Sequence, residues 1–226
     1  PTQPVAPPWP SATLQKRRHV YKYLDITPDK ELINTILQKT WEVTPSKNNF
    51  MAYTAHVMSE QKYKDALYKI CVQNEISQNE KNTLVEHLEL NPNYENILSA
   101  PYIIVFTMRY EDQPSIFQQR MWDKGVYYEA MDEPNVDEMI GTSSLEVGMF
   151  ANTLSALCVE NGLDSSYTIC IKKDLKYWDS FPFVTRTPIM AMTIGYAKQY
   201  RYDVGLEEGW IHQDHRPNYD RIVNFV

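Results

Sequence analysis

Apolar positions along this chain follow two rhythms, and the elements can be read from where one gives way to the other. Leu32, Ile33, Ile36, Leu37 and Trp41 recur at helical spacing. Thr27-Pro28-Asp29 stands just before them, with Thr27 as a cap, Pro28 as a first helical residue and Asp29 set against the helix dipole. Thr44-Pro45 stops that helix, because a residue before proline is pushed out of helical conformation. Tyr53 to Met58 then reads as a short strand. Glu60–Gln73 and Asn79–Glu89 read as two polar helices. Pro101 to Met108 is apolar throughout and too short for a long helix, the signature of a strand buried on both faces. Leu145 to Asn161 carries Val147, Phe150, Ala151, Leu154, Leu157 and Cys158 as a core stripe. Gly148, Asn152 and Ser155 add a strip of small residues that would let a second helix approach, and Gly162 supplies a left-handed stop. Strands follow over Tyr167–Ile171 and Ile189–Ile194, the second ending in Gly195-Tyr196. Between Tyr110 and Ile140 the periodicity fades into Asp, Glu, Met, Tyr and Trp, which reads as a long loop, a lid or an insertion. The order of elements predicts an α+β layered domain with a mixed central sheet flanked by helices.

Composition narrows this picture. A chain of 226 residues with 43% hydrophobic and 23% charged content suits one globular core. Residues 1–15 form a proline-rich arm and residues 16–226 the domain. Twenty-two Lys+Arg against 29 Asp+Glu leave a net charge of −7, which argues against a general nucleic-acid partner. No apolar run is long enough to span a bilayer, and the first residues lack the layout of a signal peptide. Cys71, Cys158 and Cys170 lie in apolar or regular segments away from metal-ligand spacing, so buried thiols in a reducing cytoplasm are expected. His56, His87 and His212 stand singly, and no metal is assigned. Neither a Gly-x-Gly-x-x-Gly nor a Gly-x-Ser-x-Gly string occurs. Asp132, Glu133, Asp137 and Glu138 read as an acidic solvated loop rather than a paired-carboxylate site.

Three stretches carry candidate chemistry. Lys16-Arg17-Arg18-His19-Val20-Tyr21-Lys22 gathers cationic donors that suit a phosphate, although a solvated basic run has the same composition. Pro45-Ser46-Lys47-Asn48-Asn49 offers hydroxyl, amide and backbone donors, and is equally an ordinary turn. In Asn161-Gly162-Leu163-Asp164-Ser165-Ser166-Tyr167-Thr168 a helix stop runs straight into a strand. That can set backbone N–H groups beside a bound ring, or simply connect two elements.

Taken in order, the Arg-Arg-x-x-x-Lys stretch, the Pro-Ser-x-x-Asn turn, the long helix closing in Gly-Leu and the late strand ending in Gly-Tyr resemble the nitroreductase-like family of FMN oxidoreductases. The likeness runs across residues 17 to 226. It implies a nitroreductase-like fold in an intertwined homodimer, with each C-terminal tail crossing its partner and two FMN sites at the interface. It further implies that Arg17, Arg18, His19 and Lys22, with Arg216 from the tail, hold the FMN phosphate. Pro45, Ser46 and Asn49 would reach the flavin from the partner subunit, and Ser166, Tyr167 and Thr168 would lie beside the ring, mostly through backbone. His19 stands where Ser is usual, Tyr21 where Arg is common and Lys47 where a small residue is common. Arg216 is one place later than the pattern, and Asn91, Asn93 and Asn96 replace the basic or amide residues often found before the central strand.

The activity implied is hydride transfer from NADH or NADPH through FMN to a nitroaromatic, a quinone or a similar small electrophile. The cofactor carries that chemistry, so no catalytic side chain is assigned. The same fold also implies two alternatives, reductive dehalogenation and fragmentation of FMN by oxygen. Arg120, Trp122, Tyr127 and Tyr128 could then sit in a lid that selects an aromatic substrate, or equally pack a dimer interface. The departures at His19, Tyr21 and Lys47 suggest a further one, a flavin-binding protein without turnover.

Overall fold

The computed structural model describes residues 16–79, 94–109, 119–120, 123–125, 136–207 and 222–223. In chain order it contains β1 (Val20–Tyr23), α1 (Lys30–Val43), a 3-10 turn (Lys47–Asn49), β2 (Tyr53–Met58), α2 (Gln61–Asn79), α3 (Glu95–Ser99) and β3 (Tyr102–Met108). Then come α4 (Val136–Glu160), β4 (Asp164–Thr168), a 3-10 turn (Leu175–Tyr177), β5 (Pro188–Gly195), β6 (Ala197–Tyr200) and α5 (Arg201–Glu207). Four strands form a sheet in the order β2-β3-β5-β4, and β1 pairs with β6 in a separate ribbon. Every pairing among the described residues is antiparallel, so the parallel member of the expected mixed sheet is not among them.

β3 is central, and its continuous apolar run follows from burial on both faces. Ile104, Phe106 and Met108 point into a core built with α1 and α4, against Ile33, Ile36, Phe150 and Leu154. Ile103 and Val105 point the other way, into a second core with Leu67, Ile70 and Cys71 of α2 and Ile97 of α3. Trp178 and Phe181, from the connection between β4 and β5, close that second core. The Trp178 indole N–H donates to the Lys172 carbonyl at 2.8 Å, which satisfies its polar atom inside an apolar setting.

The start of α1 differs from the expected cap. Asp29, not Thr27, caps it: its Oδ1 accepts from the Glu31 amide at 2.9 Å. Pro28 lies outside the helix, and its carbonyl accepts from the Tyr102 hydroxyl at 3.2 Å. The helix does end at Thr44, whose extended ψ of 125° accommodates Pro45. Ile33 and Ile36 are buried, but Trp41 is 57% exposed and belongs to no core.

Other boundaries also move. α2 runs unbroken from Gln61 to Asn79, past the expected break after Gln73, and the remainder of the second predicted helix lies outside the described residues. α4 begins at Val136, so the last five residues of the presumed lid, with Asp137 and Glu138 of the presumed acidic loop, are helical. Most of the rest of that segment, including Trp122, Tyr127 and Tyr128, lies outside the described residues. β4 is Asp164–Thr168 rather than Tyr167–Ile171. Gly162 adopts a φ of 73° and turns the chain at once into register with β5, pairing Asp164 with Gly195 and Thr168 with Ala191. The small-residue strip of α4 is divided: Gly148 and Asn152 are exposed, whereas Ser155 is buried and accepts from the Ser165 hydroxyl at 2.9 Å.

The Gly195 that ends β5 answers to close packing. A Cβ there would sit 2.5 Å from Pro101 Cδ and 2.9 Å from Tyr23 Cδ1. This crossing pins β1 against the sheet, and Tyr23 adds a hydroxyl contact of 2.8 Å to Thr193 Oγ1.

Candidate functional site

Ser166 joins the ribbon to the sheet. Its fully buried hydroxyl accepts from Val20 N at 2.7 Å and donates to Val20 O at 3.0 Å. That places the residue before the ribbon, His19, beside the exposed ring of Tyr167 on β4, with ring centroids 6.5 Å apart and edge to face. Arg201 opens α5 and donates its backbone N–H to the His19 carbonyl at 2.8 Å. The guanidinium of Arg17 lies 6.0 Å from the Tyr167 ring centroid.

These residues border a cavity of about 160 Å³ lined by His19, Tyr94, Asn96, Tyr167, Thr168, Cys170 and Arg201. Burial first, then the charges of Arg201 and Arg17, hold the His19 imidazole down to about 4. At neutral pH it is therefore an uncharged donor and acceptor between two permanent cations. Asn96 on α3 is 6% exposed, and its Oδ1 has no hydrogen-bond partner among the described residues. A buried acceptor without a donor costs about 1–3 kcal/mol. A molecule in the cavity that brings an N–H or O–H would recover it.

Not every predicted residue faces this cavity. Lys22 pairs with Glu95 at 2.9 Å, and the Tyr23 amide donates to Ser99 Oγ at 3.1 Å. Both contacts tie β1 to α3, the helix that carries Asn96. Arg18 is exposed, with Nη1 donating to the Arg17 carbonyl at 3.1 Å. The Ser166 hydroxyl is committed to Val20, which leaves its backbone. Cys170 is exposed, unlike buried Cys71 and Cys158, against the expectation of three buried thiols. Arg216 lies outside the described residues.

The turn with Pro45, Ser46 and Asn49 is elsewhere. It leads into β2, and β2 and β4 occupy opposite edges of the sheet. Glu146 of α4, 2% exposed, organises it. Glu146 Oε1 accepts from Ser46 Oγ at 2.9 Å and Lys47 N at 3.0 Å, and Oε2 accepts from Ala52 N at 2.8 Å. Ser46 Oγ in turn accepts from Met51 N at 2.8 Å. From the other side Arg109 Nε donates to the Met51 carbonyl at 2.9 Å and its Nη2 to the Phe50 carbonyl. Asn49 and Met51 hold φ of 55° and 51° within this frame, left-handed values rare for a Met.

Glu146, Arg109, Arg201, Tyr94 and Cys170 were not among the sequence candidates. Glu146 did leave a signal: it is a carboxylate four residues before Phe150 on the apolar stripe of α4. Arg201 and Cys170 left none, since their place depends on the ribbon and on the turn after β4.

Among the described residues no group of His, Cys, Asp and Glu is arranged to hold a metal, and no helix is long and apolar enough to cross a membrane. No protein-family model matches the chain, and no curated protein matches it by sequence. Solved structures do match in three dimensions. A nitroreductase-like protein from Streptococcus mutans aligns with a TM-score of 0.65 at 18% identity, covering 95% of this chain and 96% of that one. A Staphylococcus epidermidis protein assigned as an NAD(P)H:FMN oxidoreductase gives 0.68 at 14% identity, covering 95% and 94%. An Exiguobacterium sibiricum protein, assigned as a nitroreductase and solved in complex with FMN, gives 0.62 at 15% identity, covering 95% of each chain. Over nearly its whole length, the chain has the nitroreductase-like fold.

Proposed function

We propose that the protein is an FMN-dependent oxidoreductase that works as a homodimer. It passes hydride from NADH or NADPH to a small electrophilic acceptor such as a nitroaromatic or a quinone. The observation that carries this reading is the orphaned, buried Asn96 Oδ1 in a cavity that also presents Arg201, His19 and the ring of Tyr167. A flavin mononucleotide matches that donor set: an anionic phosphate, a flat aromatic system and a ring N–H. Bound there, FMN supplies reversible two-electron chemistry.

The chain's own residues bind and orient. Arg17 and Arg201 supply charge-assisted donors for the phosphate, with Arg216 as the candidate from the tail. Neutral His19 donates one ring N–H to the same group, and Arg18 adds long-range charge. Lys22 serves indirectly, since its pair with Glu95 holds α3 and therefore Asn96 in place. Tyr167 offers a face for stacking, and Ser166 and Thr168 contribute backbone along the edge strand β4. None of these groups needs to act as acid or base.

The separation of the Pro45–Asn49 turn from the cavity supports a two-chain site, in which Pro45, Ser46 and Asn49 of one protomer complete the cavity of the other. Trp41, Val43 and Leu145, at 57%, 64% and 66% exposure, stand near that turn as apolar surface for a second copy. No disulfide joins Cys71, Cys158 and Cys170, which suits a reducing cytoplasm.

The test is the visible spectrum of purified protein and chromatography of any chromophore released by heat. The expected result is a two-banded spectrum that releases FMN, followed by FMN-dependent oxidation of NADH or NADPH with an added acceptor. Colourless protein that takes up no FMN overturns the proposal. Release of halide from a halotyrosine, or loss of the flavin spectrum under air, would replace the acceptor chemistry while keeping the cofactor. Tight FMN binding without any turnover would reduce the protein to a flavin binder.

A further inference from the structure

Given the two-chain flavin site proposed above, we infer that Glu146, with Arg109 opposite it, is a positioning residue for the partner subunit's flavin site, acting through the Pro45–Asn49 turn and touching no ligand itself. Three donors converge on the Glu146 carboxylate: Ser46 Oγ, Lys47 N and Ala52 N. A carboxylate accepts on both oxygens, so all three are satisfied at once, which a carboxamide cannot do. Arg109 takes the carbonyls of Phe50 and Met51 and lies 5.2 Å from the Phe50 ring centroid. Between these clamps Asn49 and Met51 are held left-handed, a conformation that costs about 1–3 kcal/mol per non-Gly residue and persists where its surroundings over-determine it.

The consequence for Ser46 is specific. Its hydroxyl is spent inside the turn, donating to Glu146 and accepting from Met51 N. What the turn presents outward is the exposed Asn49 and Lys47. Ser46 shapes the turn, and Asn49 with the turn backbone makes the contact.

The test uses full-length protein. Glu146→Gln leaves the Ala52 amide facing a carboxamide N–H, or displaces Ser46 and Lys47 if the amide flips. In flavin-free protein, trypsin should then cut after Lys47 faster than in the parent. FMN affinity, read by quenching of flavin fluorescence, should fall roughly tenfold, the scale set by one buried donor left without its acceptor. Glu146→Asp, which keeps two acceptor oxygens, should recover part of both. Arg109→Lys, which removes the fork from the opposite side, should change both readouts in the same direction and keeps the test decisive if Glu146→Gln does not fold.

Mixed dimers assign the effect to one chain or the other. With Glu146→Gln and a cavity-disabling His19→Glu on different chains, both defects fall on one site, and one tight FMN per dimer remains. With both on the same chain each site carries one defect, and no tight FMN remains. The reverse pattern, or parent-like FMN affinity and proteolysis in Glu146→Gln and Arg109→Lys, overturns the inference while leaving FMN binding intact. Failure of the parent protein to bind FMN instead removes the functional reading beneath it.

Discussion

At the scale of single residues, the site depends on groups whose protonation and exposure can be measured directly. His19 is held down to about 4 by burial and by Arg201 and Arg17. In an unfolded chain a histidine takes up its proton near 6.5. Between those values the unfolded state binds more protons than the folded one, so stability is lost as the pH falls through this window. The loss is at most about 3 kcal/mol for the fully shifted group. Thermal melts of flavin-free protein should therefore show a steeper acid decline than a His19→Asn variant. A bound phosphate works against that depression, because its negative charge favours imidazolium. The phosphate itself takes up a proton near about pH 6, so His19→Asn is the reference. Between about pH 7 and about pH 5 the rise in melting temperature on adding FMN should shrink less in the parent than in that variant. The same change in both would separate His19 from the phosphate. Cys170 gives a second handle. It lines the cavity and is exposed, whereas Cys71 and Cys158 are buried, and burial with Asp164 nearby pushes the Cys158 thiol up to about 12. A maleimide should label Cys170 first, and saturating FMN should slow that labelling. Unchanged labelling would place the flavin away from this cavity.

At the scale of elements, legibility followed how much of each signal was local. The run of β3 and the stripe of α4 are set by burial, so pattern alone located them, and Gly162 marked the end of α4 through its left-handed φ of 73°. Boundaries that depend on distant partners were misplaced. The frame of β4 is fixed by its pairing with β5, and the start of α1 by Pro28 turning its carbonyl to Tyr102. The site divided in the same way. Arg17, His19 and Tyr167 lie together, whereas Lys22 and the Ser166 hydroxyl are taken up in joining β1 to α3 and β4. Arg201 and Cys170 entered through the tertiary fold alone. The crossing of β1 over β5 is the sharpest case, since nothing local explains Gly195. Gly195→Ala puts a methyl into Pro101 and Tyr23, at distances no ordinary contact reaches. An overpacking penalty of about 1–3 kcal/mol is expected. Denaturant melts should show it, and because Tyr23 belongs to β1, FMN affinity should weaken with it. A neutral substitution would mean that the ribbon shifts freely against the sheet.

At the scale of the whole molecule, the cavity and the Pro45–Asn49 turn lie at opposite edges of one sheet, which in the proposed dimer makes each of them half of a site. The cavity beside β4 has cations, an aromatic face and an orphaned acceptor. The turn before β2 is rigidly built yet presents Asn49 outward. Trp41 and Leu145, near that turn, leave large apolar side chains exposed, although α1 and α4 bury their other faces in the core. A second copy seated there would cover the apolar surface and bring turn and cavity together, so association and cofactor binding become linked. Light scattering should report a dimer for the parent protein. Trp41→Glu with Leu145→Glu should shift it towards monomer, because two charges cannot be desolvated in that interface without partners. FMN affinity should collapse in the same variant, although no cavity residue has changed, and added FMN should pull the parent dimer tighter by the same linkage. A monomeric variant that still binds FMN as tightly as the parent would show that one chain's cavity suffices. The built turn would then need another purpose.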